Sequence, residues 1–175
     1  MPTPPEILTF LFKDAGGIPN HPTLPVLVYK RAGPVALNDP SALADWFEAE
    51  WPKHGWEAAW RWGGYDFPHY HSTAHEVLGV YRGHATIRLG AEAGVTVVAE
   101  AGDVLVLPAG TAHQNLGASG DFPVVGGYPK GQSADLLRGK KGERPAADQR
   151  IAQVSLPTGD PLHGANGPLV KQWKA

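Results

Sequence analysis

Three imidazoles and one carboxylate stand at spacings that let them meet. In the run Gly63-Gly64-Tyr65-Asp66-Phe67-Pro68-His69-Tyr70-His71-Ser72-Thr73-Ala74-His75-Glu76, His69 and His71 are two residues apart and Glu76 follows five residues later. On an extended segment such a pair faces one side, so both rings can turn to one cation while Glu76 returns from the next strand. A second run, Gly102 to Asn115, brings His113 after the turn Pro108-Ala109-Gly110. Three nitrogens and a carboxylate suit one divalent transition ion: Fe, Mn, Ni, Co, Cu or Zn. In an octahedral ion they leave two positions for substrate, water or dioxygen. The expected metal site is therefore His69, His71, Glu76 and His113.

The neighbours of that set sharpen the reading. Glu76, Leu78 and Val80 share a strand face, where a carboxylate is out of place unless paired or metal-bound. His75, adjacent to Glu76, should point the opposite way, as an outward residue or a supporting partner. His84 follows the Gly83 turn and is expected on the surface. His21, His54 and His163 stand alone and are read as exposed or simply hydrogen-bonded. A ligating histidine donates its other ring nitrogen to a fixed acceptor; Asn115, Gln114, Tyr65 and backbone carbonyls are the candidates. Trp60, Trp62, Tyr65, Tyr81 and Tyr128 are placed to line the mouth of the site and favour an apolar or aromatic ligand.

The elements that must hold these residues are mostly strands. Twenty-two glycines and seventeen prolines cut the chain into short apolar pieces, the punctuation of an all-β fold. Strands are expected at Val26–Tyr29, Glu57–Trp62, Pro68–His71, Glu76–Arg82, His84–Leu89, Val95–Ala99, Val104–Leu107, Ala112–Asn115 and Val124–Tyr128, with a late one at Ile151–Ser155. One helix is expected over Ala42–Trp51, capped by Asp39, opened by Pro40 and ended by Pro52. Its Leu43, Trp46 and Phe47 form a stripe to pack on the sheet. Runs such as Val104-Leu105-Val106-Leu107 are apolar at every position, which requires cover on both faces. The N-terminal arm, the helix or a second subunit must supply that cover, and a homodimer is expected on this ground.

Composition removes other classes of function. The net charge is -2 with a pI near 6.4, and no basic run stands out for nucleic acid or an anionic membrane. The cluster Arg138, Lys140, Lys141, Arg144, interrupted by Glu143, reads as a solvated loop. Without cysteine there is no disulfide, thiolate ligand or thiol nucleophile. The glycine-rich stretches join strands and do not open helices, so no phosphate loop is present. Met1-Pro2-Thr3-Pro4-Pro5 lacks the basic region of a secretory signal, and Ile7 to Phe12 is too short to span a bilayer. A cytoplasmic protein is expected.

Both runs resemble the paired motifs of the cupin superfamily. The first has Gly63, His69, His71, Glu76 and Gly83 in their places; the second has Gly102, Pro108, Gly110 and His113. The asparagine that usually closes the second motif is replaced by Gly117, with Asn115 two residues early. The wording Phe67-Pro68-His69-Tyr70-His71 and the tail Asp160 to Leu169 also resemble the small single-domain YjlB-like bacterial cupins, nearly end to end. That resemblance implies an all-β double-stranded β-helix, or jelly-roll barrel, with the metal inside on His69, His71, Glu76 and His113. With no internal repeat or low-complexity segment, three parts of one domain are expected: an N-terminal arm and helix over residues 1–55, the barrel core over 56–130 and a C-terminal extension over 131–175.

Two classes of function follow. In a metalloenzyme the ion would face a small-molecule substrate; oxygenase chemistry is preferred, with metal-dependent isomerisation or lyase chemistry as the variant. In a binding or sensing protein the ion would anchor a ligand without turnover. No helix-turn-helix accompanies the barrel to support a regulator.

Overall fold

The computed structural model describes residues 5–34, 37, 39–120 and 122–174; the stretch Met1 to Pro4, read for a leader, lies outside them. Among the described residues, nine strands build two antiparallel sheets that face each other. The larger contains β1 (Glu6–Phe10), β2 (Val26–Lys30), β3 (Trp56–Trp62), β4 (Glu76–Val80), β7 (Val104–Leu107) and β9 (Val124–Pro129), in the order β1-β2-β7-β4-β9-β3. The smaller places β5 (His84–Leu89) between β6 (Val95–Glu100) and β8 (His113–Ala118). This is the expected jelly-roll arrangement. Its sheets enclose an interior without hydrogen bonding into one continuous cylinder.

The apolar runs divide between two cores, as strand alternation demands. Val26 and Val28 of β2, Leu105 and Leu107 of β7, and Val80 of β4 face the space between the sheets, against Ala85, Ile87 and Leu89. Leu27, Tyr29, Val104, Val106 and Val77 face outwards. Helix α1 (Pro40–Glu50) and the C-terminal segment cover that outer face, bringing Phe47, Trp51, Leu169 and Trp173 onto it. The chain thus supplies its own cover, and these runs do not call for a second subunit.

Asp39 caps α1, accepting from the Ser41 N–H at 3.0 Å, with Pro40 in the first turn. Leu43, Ala44 and Phe47 are buried, with Trp46 packed beside them. Gly79 of β4 admits the Phe47 ring: a Cβ there would lie 2.8 Å from it. Pro52 does not end the helical turn, which runs on as a 3-10 helix over Trp51–His54. That position suits proline because the first residues of a helical turn need no N–H partner.

Three sequence expectations change, and two elements are new. Pro68–His71 is extended but forms no strand; only isolated bridges join His69 to His113 and Tyr70 to Leu137. Ile151–Ser155 is not a strand, because Ile151 closes helix α2 (Ala146–Gln153), where Ala147 and Ile151 bury one face at i, i+4 spacing. Strand β1 and helix α3 (Pro168–Gln172) had no counterpart in the sequence reading. Among the basic cluster, Arg144 is not simply solvated: its guanidinium clamps Asp14 and Asp148 at 2.5–2.8 Å, and Arg138 lies 3.7 Å over the Phe67 ring.

Candidate metal centre

The inner face of β4 begins with Glu76, and Leu78 and Val80 follow it on the same face of the interior cavity. His113 opens β8 across that cavity. His69 and His71 come from the extended segment before β4, held to β8 by reciprocal backbone hydrogen bonds between His69 and His113 at 3.2 and 3.0 Å. Tyr70, between them, turns the other way and is fully buried against Ala109, Ala112, Ala147 and Ile151. Alternation along three residues therefore carries both imidazoles to one point.

One ring nitrogen from each of His69, His71 and His113 lies within 4.8 Å of the others. The Glu76 Oε2 is 3.2 Å from His71 Nε2 and 3.0 Å from His113 Nε2. All four residues named from the sequence are buried; the three histidines converge, and Glu76 touches two of them, His71 and His113. Each histidine directs Nδ1 to a backbone carbonyl: Phe67 for His69 at 3.0 Å, Thr111 for His113 at 3.1 Å, and Asp135 for His71. Donation through Nδ1–H leaves the Nε2 lone pair as the free donor atom. The acceptors are carbonyls; of the other candidates, Asn115 and Gln114 bind the carbonyls of Gly63 and Asp66 instead.

Electrostatics give this cluster a marked charge pattern. Burial raises the Glu76 carboxyl, but the facing His71 and His113 outweigh it and hold the group well below the usual carboxylate range. Burial likewise opposes protonation of His71, and the Glu76 charge reverses the balance, so its pKa is raised. His69 is pushed down to about 3 by burial and by His113. Among the described residues no lysine or arginine lines the cavity, so the positive charge they offer Glu76 is that of a protonated imidazole. The donor set, with a carboxylate whose partners are imidazoles alone, fits a divalent ion.

The cavity holds about 410 Å³. Trp60, Trp62, Tyr65 and Tyr128 line it, as expected; Tyr81 does not, and packs instead beneath Arg61 and against the outer core. Asp135 and Leu136 form a wall the sequence reading missed. Asp135 lies 64 residues beyond His71 in the chain, and no local spacing signals their meeting. His75 departs from expectation too. It does face away from Glu76, but that side is covered: the ring is 0% exposed, lies 4.7 Å from Trp173, and accepts from the Ala109 N–H at 2.9 Å. It braces the outer core and does not support the metal cluster.

Two facing antiparallel sheets with three histidines meeting inside define a cupin, and the chain belongs to that family. Residues 58–125 match the Cupin family. Over 168 residues the chain is 40% identical to the uncharacterized protein YjlB of Bacillus subtilis, covering 96% of this chain and 97% of that protein. Among solved structures, procruciferin, an 11S globulin from Brassica napus, aligns with 89% of the chain at 13% identity and a TM-score of 0.38. An oxalate decarboxylase of Bacillus subtilis aligns with 79% at 15% identity and a TM-score of 0.33. The chain spans about a third of these two, 34% and 29% of their lengths.

Proposed function

We propose that this cupin binds one divalent transition metal through the Nε2 atoms of His69, His71 and His113 and the carboxylate of Glu76, and acts on a small organic molecule held in the adjoining cavity as an oxygenase. The single observation behind this reading is the convergence of three buried imidazoles, two of them in contact with a buried carboxylate whose lining, among the described residues, holds no lysine or arginine. When bound, the ion would supply the Lewis-acid and redox chemistry that no side chain of the cavity offers.

The protein's own groups have narrower tasks. Phe67, Thr111 and Asp135 carbonyls hold the three imidazoles in one tautomer. Trp60, Trp62, Phe122 and Leu78 exclude water and bind the body of the ligand. Beyond the cluster, the titratable lining consists of Tyr65, Tyr128 and Asp135. Burial pushes Tyr128 up to about 12, which makes it a hydrogen-bond donor and a poor general base. That scarcity of acid–base groups favours oxygenase chemistry over isomerisation or elimination.

Elemental analysis of protein purified without chelators should find close to one transition ion per chain, and a His71→Ala, Glu76→Ala double variant should lose it. Equal metal in the two proteins would refute the assignment. Turnover is tested by oxygen uptake of anaerobically Fe(II)-loaded protein offered phenols, thiols and keto acids; silence across the panel would leave a metal-anchored binding protein. A cytoplasmic homodimer belongs to the same proposal. The exposed Val98 and Leu116 on the smaller sheet offer it a contact surface, and a monomer in sedimentation equilibrium would remove it.

A further inference from the structure

Resting on the metal reading above, we infer that the cavity's ligand is a small aromatic molecule with a single oxygen anion, its ring among the cavity aromatics, its oxygen towards the histidine cluster and the Tyr128 hydroxyl donating to it. Charge is the first argument. A divalent ion with one carboxylate and three neutral imidazoles retains one net positive charge, which one anionic oxygen cancels. A second anionic group would lie among Leu78, Ile87, Leu105 and Phe122, with no lysine or arginine in the lining among the described residues. Burying an unpaired charge there is costly, so a dicarboxylate or phosphate is disfavoured.

Shape is the second argument. Trp62, Tyr65 and His69 form an unbroken edge-to-face ladder, at 4.7 Å between the first two rings and 5.0 Å between the second two. It descends from the exposed Trp62 to the metal cluster. Such a ladder presents ring faces and edges along the entry path, which an aromatic guest complements.

The supply of hydrogen bonds is the third. Asn115 donates to the Gly63 carbonyl and accepts from the Gly117 N–H, and Gln114 donates to the Asp66 carbonyl. The Trp60 indole N–H donates to the Tyr128 oxygen at 2.9 Å. These groups are engaged within the protein, which leaves little for a polyol. The Tyr128 hydroxyl proton, by contrast, has no acceptor among the described residues. Its ring stands 6.5 Å from that of His71, close enough for the Glu76 charge to reach it.

The test uses the full chain loaded with Co(II), with one ion per chain verified by elemental analysis. It is titrated with 4-methylphenol, benzoate, oxalate and glucose while cobalt absorption and tryptophan fluorescence are followed. At least one aromatic compound should change both signals and bind at least tenfold more tightly than oxalate or glucose; the two aromatic arms distinguish a phenolate from a carboxylate donor. Tyr128→Phe should keep its cobalt and weaken the aromatic ligand about tenfold, the worth of one buried hydrogen bond to an anion. Because that variant strands the Trp60 indole, Trp60→Phe with Tyr128→Phe serves in its place if the single variant fails to fold. Oxalate or glucose binding as tightly as the aromatics, or undiminished aromatic binding in the variants, overturns the inference while the metal site stands. A chain that takes up no cobalt overturns both.

Discussion

Glu76 is an acid fully enclosed by imidazoles and apolar side chains, and this sets the chemistry of the residues around it. A carboxylate stays ionised there only because His71 and His113 face it, and the same contact raises His71. The metal must displace the His71 proton before it can take the Nε2 lone pair. The sign follows: below the raised pKa, protons compete and affinity falls as pH falls; above it, that competition ends. Zn(II) or Co(II) affinity should therefore climb by up to about tenfold per pH unit on the acid side and flatten on the alkaline side. Competition titrations between pH 5.5 and 8 measure the slope, and an affinity flat across that range would contradict the coupling. His69, depressed to about 3, contributes no slope in this window.

Among the elements, the segment after β9 matters more to the site than its lack of regular structure suggests. Asp135 accepts from the Ser72 N–H at 2.6 Å and from the Ser72 hydroxyl, its own N–H donates to Thr73 Oγ1 at 2.9 Å, and its carbonyl receives His71 Nδ1–H. Asp135→Ala keeps the carbonyl but frees its anchor, so His71 loses its fixed orientation. Metal affinity should fall about tenfold, the lower range for lost outer partners of a metal ligand, alongside a stability loss of about 1–2 kcal/mol from the stranded Ser72 donors; undiminished affinity would show that the carbonyl is held by other means. The strands were legible because their alternation and turns are local signals. Helix α2 was not: Ala147 and Ile151 are too few apolar positions to reveal a 3.6-residue period. The Pro68–His71 segment was read as a strand on its side-chain alternation, which it has, whereas the ladder it lacks depends on a partner supplied elsewhere.

Over the whole molecule, the C-terminal segment is tied into the outer core and is no loose appendage. Buried Asp160 accepts from the Tyr29 hydroxyl at 2.5 Å and from the N–H groups of Leu162, His163 and Leu169. Burial, then the Asp160 charge, drives the Tyr29 hydroxyl far above its ordinary range. Gly167 permits the approach, since a Cβ there would fall 2.3 Å from the Asp160 side chain. Asp160→Ala strands these donors and should cost about 3 kcal/mol of unfolding free energy, read in urea titrations; a loss below about 1 kcal/mol would mean that the knot is not structural. A second global effect is acid sensitivity. Burial depresses His21 from 6.5 to about 4, and its Nδ1 accepts from the Leu24 N–H at 2.9 Å and the Thr23 N–H at 3.2 Å. The unfolded chain takes up this proton first, so the contribution is complete above pH 6.5 and is lost as pH falls towards 4. After allowance for partial exposure, His21→Asn should reduce the stability lost between pH 7 and 5 by about 1 kcal/mol.

The amino-acid sequence alone determined the β-rich class, helix α1 with its Asp39 cap, and the two short runs that carry the three converging histidines, because each rests on spacing within its own run. Alternation, capping and turn chemistry act at that range. Only the tertiary structure decided that the C-terminal segment covers the outer sheet, that His75 braces Trp173, and that Asp135 fixes His71. Those contacts join residues 64 to 148 positions apart, a distance over which packing and chain closure, and no local period, select the partner.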